Sequence, residues 1–183
     1  QYELGMTEYK AHNYIGALNM LEKAANLGHR GALHKLGYIH DFGKDRRKGP
    51  EFAKSWYLKA AIKGYSPSQH NLGHMLEEGE NVRTNKRMAR VWYRRAALAG
   101  YSKSQYNLGL MYFNGYGGEQ NYSKAFEFYS LAAAQNHKKA TNNIGWMYQH
   151  GYGVSKDYKK AYNWYKKAAE LDNPKAHMNL AYL

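Results

Sequence analysis

Along the chain, small and bulky apolar positions return in a fixed order between polar stretches, and the order recurs every 36 residues. Paired alanines stand at Ala24/Ala25, Ala60/Ala61, Ala96/Ala97, Ala132/Ala133 and Ala168/Ala169. Single alanines precede them at Ala17, Ala53, Ala89, Ala125 and Ala161, with Trp56/Tyr57, Trp92/Tyr93, Phe128/Tyr129 and Trp164/Tyr165 in between. Offsets of three, four and seven place these residues on one stripe of a helix. A second stripe surrounds Gly37, Gly73, Gly109 and Gly145, with Ala181 at the same interval. Each follows Leu36, Leu72, Leu108, Ile144 or Leu180, and Met75/Leu76, Met111/Tyr112 and Met147/Tyr148 come two and three positions later. Each unit therefore predicts two antiparallel helices, and a period of this length marks units stacked into one array.

Two columns of permissive residues punctuate the helices. Gly28, Gly64, Gly100, Asn136 and Asp172 each stand three residues after an alanine pair. Only Gly, Asn and Asp enter left-handed backbone cheaply, so the column predicts C-caps of the second helices. After the first helices come Gly43, Gly79, Gly115 and Gly151, followed two residues later by Asp45, Asn81, Gly117 and Gly153. These predict turns and not a phosphate cradle, because no Gly-Lys-Ser/Thr or Gly-x-Gly-x-x-Gly pattern accompanies them.

Composition adds boundaries. With 183 residues, 44% of them hydrophobic, the chain can bury a core. It holds no apolar run of the roughly 18 to 20 residues that cross a bilayer, and it opens without a basic-then-apolar signal pattern. The absence of cysteine excludes disulfides, thiolate metal sites and a cysteine nucleophile, and it leaves both reducing and oxidising compartments open. A formal net charge of +13 favours acidic partners.

The run from Tyr106 to Gly118, followed by Lys124, Ala125, Tyr129 and Ala132/Ala133, resembles the Sel-like repeat family, a branch of the tetratricopeptide superfamily. So does Asn143 to Ala169, which includes Gly151 to Val154 and Trp164/Tyr165. The resemblance implies an all-α fold, a right-handed solenoid of stacked antiparallel helix pairs. Sel-like repeats are expected at 31–66, 67–102, 103–138 and 139–173. Gly5 to Ala24 spans 19 positions where Gly37 to Ala60 spans 23, so residues 1–30 look like an ordinary tetratricopeptide unit with a tighter loop. Residues 174–183 would begin a further repeat or cap the stack, and the helical patterns at both ends favour a segment trimmed from a longer array. Some family members bridge each helix pair with a disulfide; here packing alone must serve.

Relative to the repeat glycine, the positions three before, one after and four after form a row on another face of the first helix. The row reads His34/Tyr38/Asp41, His70/His74/Glu77, Tyr106/Leu110/Phe113 and Asn142/Trp146/Gln149, and here the units stop agreeing. In the resembled superfamily this face lines the concave side of the array. The candidate partner-binding residues are therefore His34, Tyr38, His70, Asn71, His74, Tyr106, Asn107, Leu110, Phe113, Asn142, Asn143, Trp146 and Gln149. The other reading buries these side chains as packing between units, and Trp146 is the residue that separates the two. Asn71, Asn107, Asn143 and Asn179 recur two residues before the glycine series. An amide that donates and accepts suits either an extended peptide or a tie between neighbouring repeats.

His70, His74 and Glu77, with His34 one unit earlier, have metal-compatible spacing, but Asn71 stands where a zinc-protease pattern needs Glu, so no metal or other cofactor is expected. The basic residues Lys44, Arg46, Arg47 and Lys48, and again Arg83, Lys86, Arg87, Arg90, Arg94 and Arg95, read as solvated turns and second-helix faces on the convex side. As a nucleic-acid surface they lack interleaved aromatics and are interrupted by Glu77, Glu78 and Glu80.

The expected function is a monomeric, non-enzymatic adaptor that grips a segment of another protein in the concave groove, the net charge favouring an acidic one. The resemblance adds two alternatives: a bacterial immunity protein that neutralises a secreted toxin of the type VI kind, and a hydrolase acting on cell-wall or β-lactam substrates. For the latter no Ser/Lys or Ser/His/Asp arrangement stands out. Of the compartments left open, the bacterial periplasm is favoured over the cytoplasm.

Overall fold

A computed structural model describes residues 1–42, 49–79 and 83–183. The expected turn residues Gly43, Asp45 and Asn81, the basic run Lys44, Arg46, Arg47 and Lys48, and Glu80 lie outside the described residues. Among the described residues there are eleven α-helices and no strand. They are α1 (Tyr2–Lys10), α2 (Tyr14–Asn26), α3 (Arg30–Phe42), α4 (Gly49–Ile62), α5 (Ser66–Glu78), α6 (Lys86–Leu98), α7 (Ser102–Asn114), α8 (Tyr122–Ala134), α9 (Lys138–His150), α10 (Tyr158–Glu170) and α11 (Pro174–Ala181). The chain forms two compact units, Gln1–Trp92 and Tyr93–Leu183.

In the first unit α1 packs on α2, α2 on α3, α3 on α4 and α4 on α5. Leu21, Ala24, Ala32, Leu33, Leu36, Ile39 and Ala60 meet in its interior, flanked by the partly buried Tyr2, Leu18, Trp56 and Tyr65. In the second unit α7 packs on α8, α8 on α9, α9 on α10 and α10 on α11. Leu108, Met111, Ile144 and Met147 are sealed from solvent there, whereas Tyr148 and Trp164 are only half-buried.

The repeat glycines explain how closely paired helices approach. A Cβ added at Gly37, Gly109 or Gly145 would stand 2.6, 2.6 or 2.7 Å from a ring carbon of Tyr57, Tyr129 or Tyr165. Each glycine is thus the seat of a tyrosine ring from its own partner helix, and all three tyrosines are fully buried. The opening unit replaces the pair with Gly5 and Leu21, where the same Cβ would stand 3.0 Å from the leucine.

The helix ends follow the punctuation of the sequence. Gly28, Gly64, Gly100, Asn136 and Asp172 all have positive φ, between 55° and 86°. Gly79, Gly115 and Gly151 are left-handed C-caps of α5, α7 and α9. Asn13, Asn121 and Asp157 accept from the backbone N–H three residues on, which starts α2, α8 and α10. The short turn of the first unit instead holds His12 at φ 62°.

Candidate functional site

Within the second unit the first helices α7, α9 and α11 present the row where the repeats diverge. Between them opens a cavity of about 410 Å³. Leu110, Phe113 and Asn114 of α7 line one side, with Tyr129 of α8 at its base. Asn142, Asn143, Trp146 and Met147 of α9 and Lys175 and Asn179 of α11 complete it. Five of the sequence-derived candidates are brought together here: Leu110, Phe113, Asn142, Asn143 and Trp146.

Trp146 is half-buried, neither free nor shut away. Its ring stacks on His150 at 4.1 Å and on Tyr152 at 5.1 Å, and Phe113 meets it edge-on at 5.5 Å. Tyr122 extends the cluster, 5.0 Å from Phe113 and 4.7 Å from Tyr152. His150 Nδ1 lies 2.9 Å from the Trp146 carbonyl oxygen, which fixes the imidazole over the indole. A pre-ordered aromatic wall loses little side-chain entropy when something is pressed against it.

Tyrosine hydroxyls absorb several of the polar candidates. Tyr165 donates to Gln149 Oε1 at 2.6 Å, and Tyr57 donates to Asp41 Oδ2 at 3.3 Å. Phe113 occupies the same row position in its own unit and has no oxygen to offer. There the Asn143 amide bonds the Tyr129 hydroxyl, and also that of Tyr106. Asn71 likewise bonds Tyr57. Burial drives the Tyr57 and Tyr129 hydroxyls well above the usual phenol range, and it pushes Tyr165 up to about 12. Asn142, only 6% exposed, accepts from Asn179 Nδ2 at 2.9 Å. Three of the asparagine series, Asn71, Asn143 and Asn179, thus tie one helix pair to the next, and Asn143 and Asn179 also line the cavity.

Tyr106 does not line the cavity; it stacks on His137 at 4.6 Å and meets Tyr129 at 5.9 Å. Burial, with Lys139 and Lys103 nearby, holds the His137 imidazole below its ordinary pKa. Asn107 is half-buried in α7.

In the first unit His34 is packed against Tyr57 and Tyr65, with ring centroids at 5.5 and 5.2 Å, and its Nδ1 lies 2.9 Å from Ser68 Oγ. Burial and the neighbouring Lys35 lower its pKa to about 4. Tyr38 is exposed beside Phe42, with Lys35 Nζ 4.9 Å above its ring. His70 and Asn71 are half-buried and His74 is exposed. Among the described residues no three of His, Asp and Glu stand close enough to hold a metal ion. No helix among them is long and apolar enough to cross a membrane. Arg87, Arg94 and Arg95 of α6 are exposed.

The cavity also contains residues that the row did not include: Asn114, Tyr129, Met147, Lys175 and Asn179. A signal for Lys175 exists, because Lys103, Lys139 and Lys175 recur four residues before Asn107, Asn143 and Asn179. Residues four apart share a helix face, so the column was legible beside the asparagines.

Helix pairs repeated at one period, with a half-open aromatic cavity on their first helices, define a helical-repeat solenoid protein. The chain belongs to the Sel1 repeat family, whose model matches residues 1–29, 31–65, 66–101, 102–137 and 138–173. Such repeats typically serve as scaffolds for protein contact. The chain is 33% identical to a Sel1 repeat protein from Oxalobacter formigenes, with a TM-score of 0.92 over 99% of this chain and 74% of that one. It is 35% identical to a protective antigen of uropathogenic Escherichia coli with an SLR fold, with a TM-score of 0.87 over 90% of this chain and 35% of the antigen. The immunity protein PA5088 of Pseudomonas aeruginosa shares the fold at 19% identity and a TM-score of 0.54, over 89% of this chain and 59% of that one. No curated protein matches the sequence.

Proposed function

We propose that this chain is a non-enzymatic adaptor that holds a segment of another protein against the face formed by α7, α9 and α11. The observation that carries the reading is the cavity of about 410 Å³, where Phe113 and Trp146 keep their rings partly open to solvent. Aromatic side chains set in a pocket are the usual anchors of protein interfaces. Asn142, Asn143 and Asn179 supply polar groups at its rim, which suits a polypeptide with its own amides to satisfy.

The test is capture from an extract of the native organism, read by mass spectrometry. The partner is expected to be lost with Phe113→Ala/Trp146→Ala and also with Leu110→Glu, each checked for an unchanged far-UV spectrum. Retention by both folded variants would overturn the assignment.

The toxin-neutralising alternative draws on the Pseudomonas aeruginosa immunity proteins, which share the fold alone. Its test is co-expression with a neighbouring effector gene: absence of protection removes it.

A further inference from the structure

The cavity has one charged group, the Lys175 ammonium, and no carboxylate in its lining. Lys175 is the last of a column: Lys103 on α7, Lys139 on α9 and Lys175 on α11 are all exposed. Among the described residues no acidic side chain forms an ion pair with any of the three. Each stands one helical turn before an asparagine of the repeat series, so basic and amide groups alternate beside the apolar opening. The bond from Asn179 Nδ2 to Asn142 Oδ1 leaves the Asn142 amino group as a donor and the Asn179 carbonyl as an acceptor, neighbouring groups that match a peptide unit.

From this we infer that the occupant is an extended acidic peptide segment, with a bulky apolar side chain seated among Leu110, Phe113, Trp146 and Met147 and flanking Asp or Glu residues on the lysine column. The inference rests on the adaptor reading and names the chemistry of its partner. A chain is required because Lys103 and Lys139 do not line the cavity, so the matching negative charge must extend past the anchor. A single-stranded nucleic acid fits less well. It would match the lysines by charge, but Asn142 and Asn179 offer a peptide-matched donor and acceptor beside the apolar seat, and octathymidylate in the test below separates the two polymers.

The experiment is a titration of the ¹⁵N-labelled 183-residue chain followed by NMR. The probe is the peptide Ac-Glu-Gly-Glu-Phe-Glu-Gly-Glu-NH2. The Trp146 indole N–H and the Asn142 and Asn179 side-chain amides are expected to shift. Replacing Phe by Ser in the peptide should abolish the shifts, and replacing every Glu by Gln should weaken binding about fivefold. Lys175→Glu should weaken the acidic peptide similarly and gain binding to the peptide carrying Lys at every Glu. Overturning results are an absence of shifts at millimolar acidic peptide, equal binding of the lysine peptide to the unchanged chain, or the same resonances moved by octathymidylate but not by peptide. If the Phe113/Trp146 variant loses a protein partner while the acidic peptide moves nothing, the adaptor reading survives and this inference alone falls.

Discussion

A methyl group on Gly109 would lie 2.6 Å from the Tyr129 ring, closer than carbon atoms approach, and the ring is buried. Gly109→Ala should therefore push Tyr129 off its seat and cost about 1–3 kcal/mol, measured by urea unfolding. An unchanged midpoint would show that the helices part freely. His34 makes a different prediction. Its folded pKa of about 4 lies below the ordinary 6.5, so the unfolded chain binds the proton first as pH falls. The stability tied to neutral His34 is whole above pH 6.5 and is lost as pH drops from there toward about 4. The urea midpoint should fall more between pH 7 and pH 5 in the unchanged chain than in His34→Gln. Equal falls would place the titration elsewhere.

At the scale of the element, left-handed residues end the helices, but they are not equal in cost. Gly64 and Gly100 have φ of 77° and 86° with open space around them, so alanine there meets only backbone strain, roughly 1–2 kcal/mol. Gly153 combines φ 70° with a Cβ position 2.5 Å from the Tyr122 carbonyl, where the turn after α9 presses on the start of α8. Gly153→Ala should lower the urea midpoint further than Gly100→Ala, and equal losses would mean that Tyr122 yields. The sequence showed these columns clearly, because few residues tolerate positive φ and the exceptions, Asn136 and Asp172, belong to the same short set. The tyrosine seated on each glycine was less visible. Periodicity placed both on helices, but only the facing of two helices pairs Gly109 with Tyr129. The first turn, where His12 takes positive φ, gave no signal beyond its shorter spacing.

Across the whole molecule, the same repetition that made the fold legible left the site half-read. Positions that vary between units stood out, and Leu110, Phe113, Asn142 and Trp146 do meet around one cavity, joined by Asn143 of the constant asparagine series. Gln149 belongs to the same row yet serves Tyr165, as Asp41 of its column serves Tyr57, a pairing across helices that periodicity along the chain does not show. The asparagines were ambiguous for a chemical reason: one amide can tie repeats and line a cavity at once, as Asn143 does. Repetition also sets how damage should spread. When stability is a sum of unit terms and nearest-neighbour terms, strain in one helix pair loosens that pair and those packed on it, and the effect fades with distance along the chain. Gly109→Ala strains α7 against α8, and α8 packs on α9. Hydrogen exchange should therefore speed in α7, α8 and α9, while α1 to α3 keep their protection. Uniform acceleration from α1 to α11 would instead mean that the array opens as one cooperative body, and unit-by-unit energetics would not describe it.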